Sequence, residues 1–287
     1  MRLLDVHQLK LKEFFDERKR PEYAILSHTW GEGEVSLQDL STPAATAMAG
    51  FSKIKRCCEL AIQDGFEYIW VDTCCIDKTS SSELSEAINS MYQWYKSATV
   101  CYAYLSDVVP GDDPTDPHSS FSQSRWFTRG WTLQELLAPK IVTFHDSDWT
   151  EIGTKFNLKA EISRITGISR EVLSNEPIGA FSIAQRMSWA SKRETTRVED
   201  IAYSLMGIFG INMPTLYGEG KRAFIRLQYE ILRTSDDHSL FAWIHPWKRS
   251  GLLASSPLQF QHSQAIQRLE VPSSGYPYSM TNKGLHI

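Results

Sequence analysis

Polar and aromatic side chains with binding chemistry follow directly on two apolar runs of the sequence. Ser27, His28, Trp30 and Gly31 stand at or just after the end of the first run, and Asp72 ends the second. If both runs are strands of one parallel sheet, these residues meet beyond the carboxyl ends of the strands, where open α/β sheets bind ligands. An acid, an imidazole and an indole together suit a polar ligand with an aromatic base. Serine, aspartate and glycine are also ordinary turn residues, and this alternative remains open.

Glu135 is the main candidate for a functional acid. It lies in a short segment whose leucines have the spacing of an α-helix. At that spacing Leu133, Leu136 and Leu137 share one face and are expected to dock on the sheet, while Trp131 and Glu135 share the opposite face. Glu135 therefore need not be buried and could point into the cleft beside an indole. A solvent-exposed glutamate on a helix surface gives the same pattern.

The elements that must position these residues are predicted from hydrophobic patterning. Four apolar runs rich in β-branched and aromatic residues read as strands. They are 23–27, 68–72, 99–105 and 140–145. None of them alternates cleanly between apolar and polar residues, which predicts strands buried on both faces, as in a parallel sheet.

Helices are predicted between the strands, because apolar residues recur there with helical spacing. These residues are Ile54, Cys57, Cys58 and Ala61 in one segment and Leu84, Ala87, Ile88 and Met91 in the next. Ser80 and Glu83 have the spacing of a capping box at the start of the second helix.

The alternation of strands and helices predicts an α/β fold with a doubly wound parallel sheet flanked by helices. Residues 1–150 are expected to form this core, with a polar surface loop at 109–124. Residues 151–287 are expected to form a mainly helical extension with short strands, packed on the core. Helices are predicted there at 159–173, 183–192, 198–209 and 222–233, and strands at 240–244 and in the last few residues.

Composition excludes several classes of protein. A net charge of −4 argues against a dedicated binder of nucleic acid or anionic membranes. No run approaches 18 apolar residues and the first residues do not resemble a signal peptide, so a cytoplasmic protein without a membrane span is expected. An odd number of cysteines without C-x-x-C spacing favours buried reduced thiols over disulfides or a zinc site, and no metal is expected. They are Cys57, Cys58, Cys74, Cys75 and Cys101.

Two further features carry little chemistry. The segment 218–221 has glycines and a lysine but lacks the spacing of a phosphate-binding loop, so a turn before a helix is predicted. Arg186, Lys192, Arg193 and Arg197 form a basic cluster that is expected to be a solvated face. A contact with phosphate or with a partner is the alternative for this cluster.

Three motifs together resemble the HET (heterokaryon incompatibility) domain of fungal recognition proteins. They lie at 23–31, 68–78 and 129–135, in the order and at the spacing of that family. The stretches 197–203 and 216–220 are similar to the extended form of the domain that precedes nucleotide-binding and WD-repeat regions. The resemblance therefore implies that such downstream regions of a longer chain are partners of this domain.

The segments 86–88, 124–126 and 131–136 are also similar, in order, to motifs of TIR domains. That resemblance implies a TIR- or flavodoxin-like sheet and places the catalytic glutamate of the NAD⁺-cleaving TIR members at Glu135. Two departures stand out. Thr132 occupies a position where many TIR domains have cysteine, and the 109–124 segment enlarges the loop that precedes the motif.

Two functions follow from these resemblances. The first is a cell-death effector that cleaves NAD⁺ at the nicotinamide–ribose bond, with Glu135 stabilising the oxocarbenium-like ribose. Its substrate is expected to contact Ser27, His28, Trp30, Gly31, Asp72 and Trp131. The second is a non-catalytic TIR-like signalling module that triggers death by self-assembly and partner recruitment. Self-association is expected in either case, with the loops at 73–82 and 109–124 ordered over the cleft by neighbouring copies.

Overall fold

A computed structural model describes residues 1–244, 251–268, 279–281 and 284–286. Its centre is a seven-stranded sheet, and two further short strands form a separate hairpin. The sheet contains β1 Arg2–Asp5, β2 Leu11–Glu13, β3 Ala24–His28, β4 Tyr68–Trp70, β5 Val100–Tyr104, β6 Val142–His145 and β7 Glu151–Thr154, and the hairpin contains β8 Ser279–Thr281 and β9 Gly284–His286.

Helices flank the sheet and are the main regular elements of the described chain after it. The α-helices are α1 Leu37–Leu40, α2 Ala49–Gln63, α3 Ser81–Ser97, α4 Ser120–Gln123, α5 Thr132–Leu137, α6 Lys159–Thr166, α7 Arg170–Leu173, α8 Ile183–Ala190, α9 Asp200–Tyr203, α10 Met206–Phe209 and α11 Arg222–Thr234. Short 3-10 helices lie at Glu17–Lys19, Pro43–Ala47, Arg125–Thr128, Ile178–Ala180, His238–Phe241 and Pro257–Phe260.

The strand order β2-β1-β4-β3-β5-β6-β7 confirms the predicted α/β fold. The four predicted strands β4, β3, β5 and β6 are mutually parallel. The chain runs from β3 to β4 on one side and then to β5 on the other, so the winding direction reverses between β3 and β5. Ligands of doubly wound sheets bind at such a switch point. The strands β1, β2 and β7, which add antiparallel pairings on the two sides of the four parallel strands, were not predicted.

The two predicted helices of the core are present, and the start of α3 differs in one detail. The hydroxyl oxygen of Ser80 accepts the Glu83 N–H at 3.3 Å, as predicted. The carboxylate of Glu83 does not return to Ser80, because it accepts the Asp77 N–H at 2.7 Å and is paired with Arg2. The capping box is therefore half formed, and Glu83 instead ties α3 to β1.

Most of the helices predicted after the sheet are shorter than expected. The segment 159–173 is divided at Gly167, whose φ of +73° ends α6, and the segment 198–209 contains the separate helices α9 and α10. The strand predicted at 240–244 is wrong. A 3-10 helix lies at His238–Phe241, because the Asp237 carboxylate accepts the Ser239 N–H at 2.9 Å and starts a helical turn. Strand β9 lies where a terminal strand was predicted.

Two remaining expectations concern the chain as a whole. All five cysteines are buried free thiols, as predicted. Among the residues that the structure describes, no helix combines the length and the apolar composition that a membrane span requires.

Candidate active site at the carboxyl edge of the sheet

Glu135 lies in α5 and is enclosed by protein. Its side chain is 7% exposed, and every residue of α5 is buried. The prediction that Glu135 need not be buried is therefore wrong. The physical reason is that α5 is covered on several sides, by β3, by α3 and by the 3-10 helix Arg125–Thr128.

One contact joins Glu135 to the predicted rim of β3. The Ser27 hydroxyl donates a hydrogen bond to Oε2 of Glu135, and the indole Nε1 of Trp126 donates to the Ser27 oxygen at 2.8 Å. Because Ser27 is the penultimate residue of β3, the carboxyl group lies at the carboxyl edge of the sheet, beside the switch point.

The environment of Glu135 favours its neutral form. Burial raises the pKa of its carboxyl to about 8, the Ser27 hydrogen bond opposes this rise, and the negative charge of Asp72 adds to it. The positive charge of Arg193 acts with Ser27 to favour the carboxylate. At neutral pH the free protein therefore carries a largely protonated Glu135, and a modest change in its surroundings would ionise it.

His28 lies next to Ser27 but on the other face of the sheet, because successive residues of a strand point in opposite directions. Its Nε2 is 3.7 Å from Oε2 of Glu34 and its Nδ1 is 3.9 Å from Oδ1 of Asp72. Neither distance is that of a hydrogen bond. Among the residues that the structure describes, both ring nitrogens, Oε2 of Glu34 and Oδ1 of Asp72 are buried without a hydrogen-bond partner. This arrangement offers polar atoms that a ligand could satisfy.

Trp30 forms the exposed rim of the same edge. Its side chain is 53% exposed, and its indole N–H donates to Oδ2 of Asp72 at 2.7 Å. The ammonium group of Lys78 lies 3.6 Å from the centre of the Trp30 ring. One face of the indole is thus occupied by a cation from the 73–82 loop.

Gly31 and Trp131 are placed differently from the other predicted residues. The backbone N–H of Gly31 donates to Oε1 of Glu34 at 2.8 Å, so this residue contributes through its backbone. The indole N–H of Trp131 donates to Oδ2 of Asp200 at 3.3 Å. Asp200 also accepts the Tyr217 hydroxyl at 2.8 Å, so the polar end of Trp131 faces the extension.

Arg193 was predicted to lie on a solvated basic face, and this is wrong. Its side chain is 5% exposed, whereas Lys192 and Arg197 are exposed as expected. Nη1 of Arg193 donates to the backbone oxygen of Arg129 at 2.7 Å and to the hydroxyl oxygen of Thr132 at 2.9 Å. The guanidinium group is therefore inserted beside α5.

Several residues of this edge were not found from the sequence. They are Glu34, Lys53, Tyr95 and Arg193, which come from the chain between β3 and β4, from α3 and from the extension, so no local motif groups them. Trp126 alone had a local signal, as part of the segment at 124–126. Glu34 is itself paired with Lys53, whose Nζ lies 2.6 Å from Oε1.

The remaining features bear on what the site can hold. No group of three or more potential metal ligands is present among the described residues. Surface clefts of about 590 and 200 Å³ lie elsewhere, and Glu135 lines neither.

The segment 218–221 is a turn before α11, as predicted, with left-handed Gly218 and Gly220.

Comparison with known proteins points to one family. The model of a family described as heterokaryon incompatibility protein (HET) matches residues 23–113, and a domain of unknown function, DUF8212, matches residues 222–274. The vegetative incompatibility protein HET-E-1 of Podospora anserina is 47% identical over 80% of this chain. The chain spans 18% of the length of that relative. No solved structure matches.

Proposed function

Because this chain belongs to the heterokaryon incompatibility (HET) family, we propose that it is a cell-death effector of fungal incompatibility that acts in the cytoplasm. We propose further that it kills by cleaving NAD⁺ at the nicotinamide–ribose bond. The observation that carries this proposal is the position of Glu135, a buried carboxyl group held by Ser27 at the switch point of the sheet.

The chemistry of that bond suits a single carboxyl group. Nicotinamide leaves as a neutral molecule, so the leaving group needs little protonation, and the ribose becomes oxocarbenium-like. A carboxylate beside the sugar stabilises this positive charge. The nicotinamide ring of NAD⁺ is itself cationic, so its arrival would favour the ionised form of Glu135 and lower the raised pKa. Substrate binding and loss of the Glu135 proton are then linked.

The other predicted residues have distinct parts in this proposal. Ser27 holds Glu135, while His28 and Asp72 present buried polar atoms without partners to the substrate. Trp30 would stack on a base once Lys78 leaves its ring. Trp131 would contribute its ring face, since its N–H is taken by Asp200.

The test is the loss of NAD⁺ on incubation with the purified chain. Glu135→Gln keeps the shape and a hydrogen-bonding group but cannot carry the negative charge, and we expect its rate to fall by about 100-fold or more. Glu199→Gln, at a second buried glutamate, is the matched control and should retain the rate. Equal rates in wild type and Glu135→Gln would remove Glu135 from the mechanism.

One observation favours the second function, a signalling module without catalysis. Glu135 is 7% exposed and already has a hydrogen-bond partner, which also suits a structural carboxyl group. Under that function the wild type would not consume NAD⁺, and Glu135→Gln would still kill fungal cells. The downstream regions of a longer chain would then be the partners that the domain recruits.

We propose that assembly activates the site by rearranging the 73–82 and 109–124 segments over the cleft, because a constantly active enzyme of this kind would kill its host. Lys78 covers Trp30, and the 109–124 loop is held by Asp112, which accepts the N–H of Ser120 at 2.6 Å. Both segments are polar and mostly loop, although 73–82 runs into the start of α3 and 109–124 includes α4, and rigid elements flank both, as they flank mobile active-site loops. We expect specific activity to rise several-fold with protein concentration, together with light scattering. A head-to-tail contact would give open filaments. A constant rate from a stable monomer would contradict this proposal.

A further inference from the structure

We infer that Arg193, which belongs to the extension, is a positioning residue that holds the negative charge of Glu135. The site is then complete only when the segment that carries Arg193 is docked on α5. The inference rests on the proposed function for its activity readout alone, since the charge state of Glu135 can be measured without substrate.

The segment around Arg193 is fixed to the core by backbone contacts. The Gly130 N–H donates to the Glu194 oxygen at 2.8 Å, and the Glu194 N–H donates to the Thr128 oxygen at 2.7 Å. A Cβ atom at Gly130 would lie 2.4 Å from Cγ2 of Thr195. Glycine is therefore required where the extension crosses the start of α5, and this close approach sets the position of the neighbouring Arg193.

The hydrogen bonds of Arg193 leave part of its guanidinium group unsatisfied. Nη1 has two acceptors, the backbone oxygen of Arg129 and the hydroxyl of Thr132. Nε and Nη2 are buried, and the part of the chain that the structure describes offers them no hydrogen-bond acceptor. Thr132 lies three residues before Glu135, so both occupy neighbouring positions along α5. A buried cation with free donors is costly unless a negative charge lies close by. Through Thr132, Arg193 reaches the part of α5 that carries Glu135, so we infer that Glu135, when it ionises, supplies that charge.

The ionisable groups around Glu135 come from four elements. Asp72 follows β4, Tyr95 lies in α3, Cys101 lies in β5 and Arg193 comes from the extension. Of these groups Arg193 is the cation. Burial lowers the pKa of Arg193 to about 9, and the Glu135 charge opposes this shift. The attraction is mutual, so each group favours the charged form of the other.

The test is the titration of Glu135 in the 287-residue chain, followed by carboxyl carbon NMR and, independently, by the pH profile of kcat/KM for NAD⁺. In Arg193→Gln the midpoint should rise by about one pH unit, which leaves about a tenth as much carboxylate at neutral pH. Arg193→Lys keeps the positive charge and should restore the midpoint.

Arg186→Gln is the matched control. Arg186 is also a largely covered arginine of the extension, bonded to the Ile208 backbone oxygen at 3.1 Å and stacked on Phe209. The groups that influence its charge do not include Glu135. This variant should lose stability without moving the Glu135 midpoint. If Arg193→Gln behaves in the same way, Arg193 is merely structural and the inference is overturned.

Two outcomes call for a second measurement: an Arg193→Gln variant that does not fold, and a wild type that does not cleave NAD⁺. If Arg193→Gln does not fold, Thr132→Val removes the hydroxyl that anchors Arg193 and should give a smaller upward shift; an unchanged midpoint overturns the inference. If the wild type does not cleave NAD⁺, the NMR titration still decides. A shifted midpoint would then support the role of Arg193 while the proposed function fails.

Discussion

Glu135 and Glu199 expose almost the same fraction of their surface, 7% and 8%, but the carboxyl group of Glu135 lies deep in the protein, whereas that of Glu199 lies near the surface and is desolvated little. Glu199 lies before α9 and accepts the backbone N–H groups of Gly218 and Gly220 at 2.8 and 3.0 Å. With its own N–H, these donors lower its pKa. Glu135 accepts a hydrogen bond from one hydroxyl, and burial raises its pKa to about 8.

The difference shows how a fold separates structural from reactive carboxyl groups. Backbone N–H groups that converge on Glu199 stabilise its charge and fix the turn before α11. Its carboxylate is therefore engaged in structural hydrogen bonds. Glu135 has too few donors for a stable charge, and unpaired donors of Arg193 and Gln134 are buried in the same region around α5. Groups with such perturbed pKa values cluster at functional sites.

The largest expected effect that tests the contrast between Glu135 and Glu199 is the change in the pH dependence of stability caused by Glu135→Gln. The pKa of Glu135 is raised from 4.5 to about 8, so the folded state keeps a proton that the unfolded state releases over this range. The free energy of unfolding of the wild type therefore falls as pH rises from about 4.5 to about 8, and glutamine removes this loss.

We expect Glu135→Gln to gain about 2 to 4 kcal/mol relative to wild type between pH 5 and pH 8. Urea unfolding of both proteins at several pH values measures the difference. A difference that does not change with pH would show that Glu135 is ionised in the folded protein and would end the contrast with Glu199.

Glu199→Gln should show the opposite sign and a smaller effect. The pKa of Glu199 is lowered in the folded protein, so its charge stabilises the fold above the unfolded pKa, and this contribution is lost as pH falls through the folded pKa. Glutamine can still accept both N–H groups through its amide oxygen. We expect a loss of stability at pH 7 that is smaller than the effect at Glu135 and that shrinks in acid. Stability equal to wild type at pH 7 would contradict the structural role.

The sequence was sufficient for the four parallel strands and for the part of the candidate site that lies directly on them. Parallel strands are continuous apolar runs, and Ser27 and Asp72 follow from the rule that ligands bind at strand ends. The burial of Glu135 could not be predicted in the same way. Helical spacing tells which residues share a face of α5, but not which distant segment covers that face. Here the cover includes Arg193, which in the sequence resembles its solvated neighbours.

The smallest predicted effect concerns Asp72, the like charge that helps to raise the pKa of Glu135. In Asp72→Asn this repulsion is absent, so the Glu135 midpoint should fall by about half a pH unit, or about 0.7 kcal/mol. The shift is opposite in sign to that expected for Arg193→Gln. Carboxyl carbon NMR reports it even if the loss of Asp72 weakens substrate binding.

Trp30→Phe is the control, because it removes the indole N–H that Asp72 accepts at 2.7 Å but leaves the charge of Asp72 in place. Its Glu135 midpoint should remain at the wild-type value. A fall of the same size in both variants would mean that the midpoint follows the packing of this edge. The Glu135 midpoint would then not report the charges around Glu135, and the proposed electrostatic difference between Glu135 and Glu199 would be contradicted.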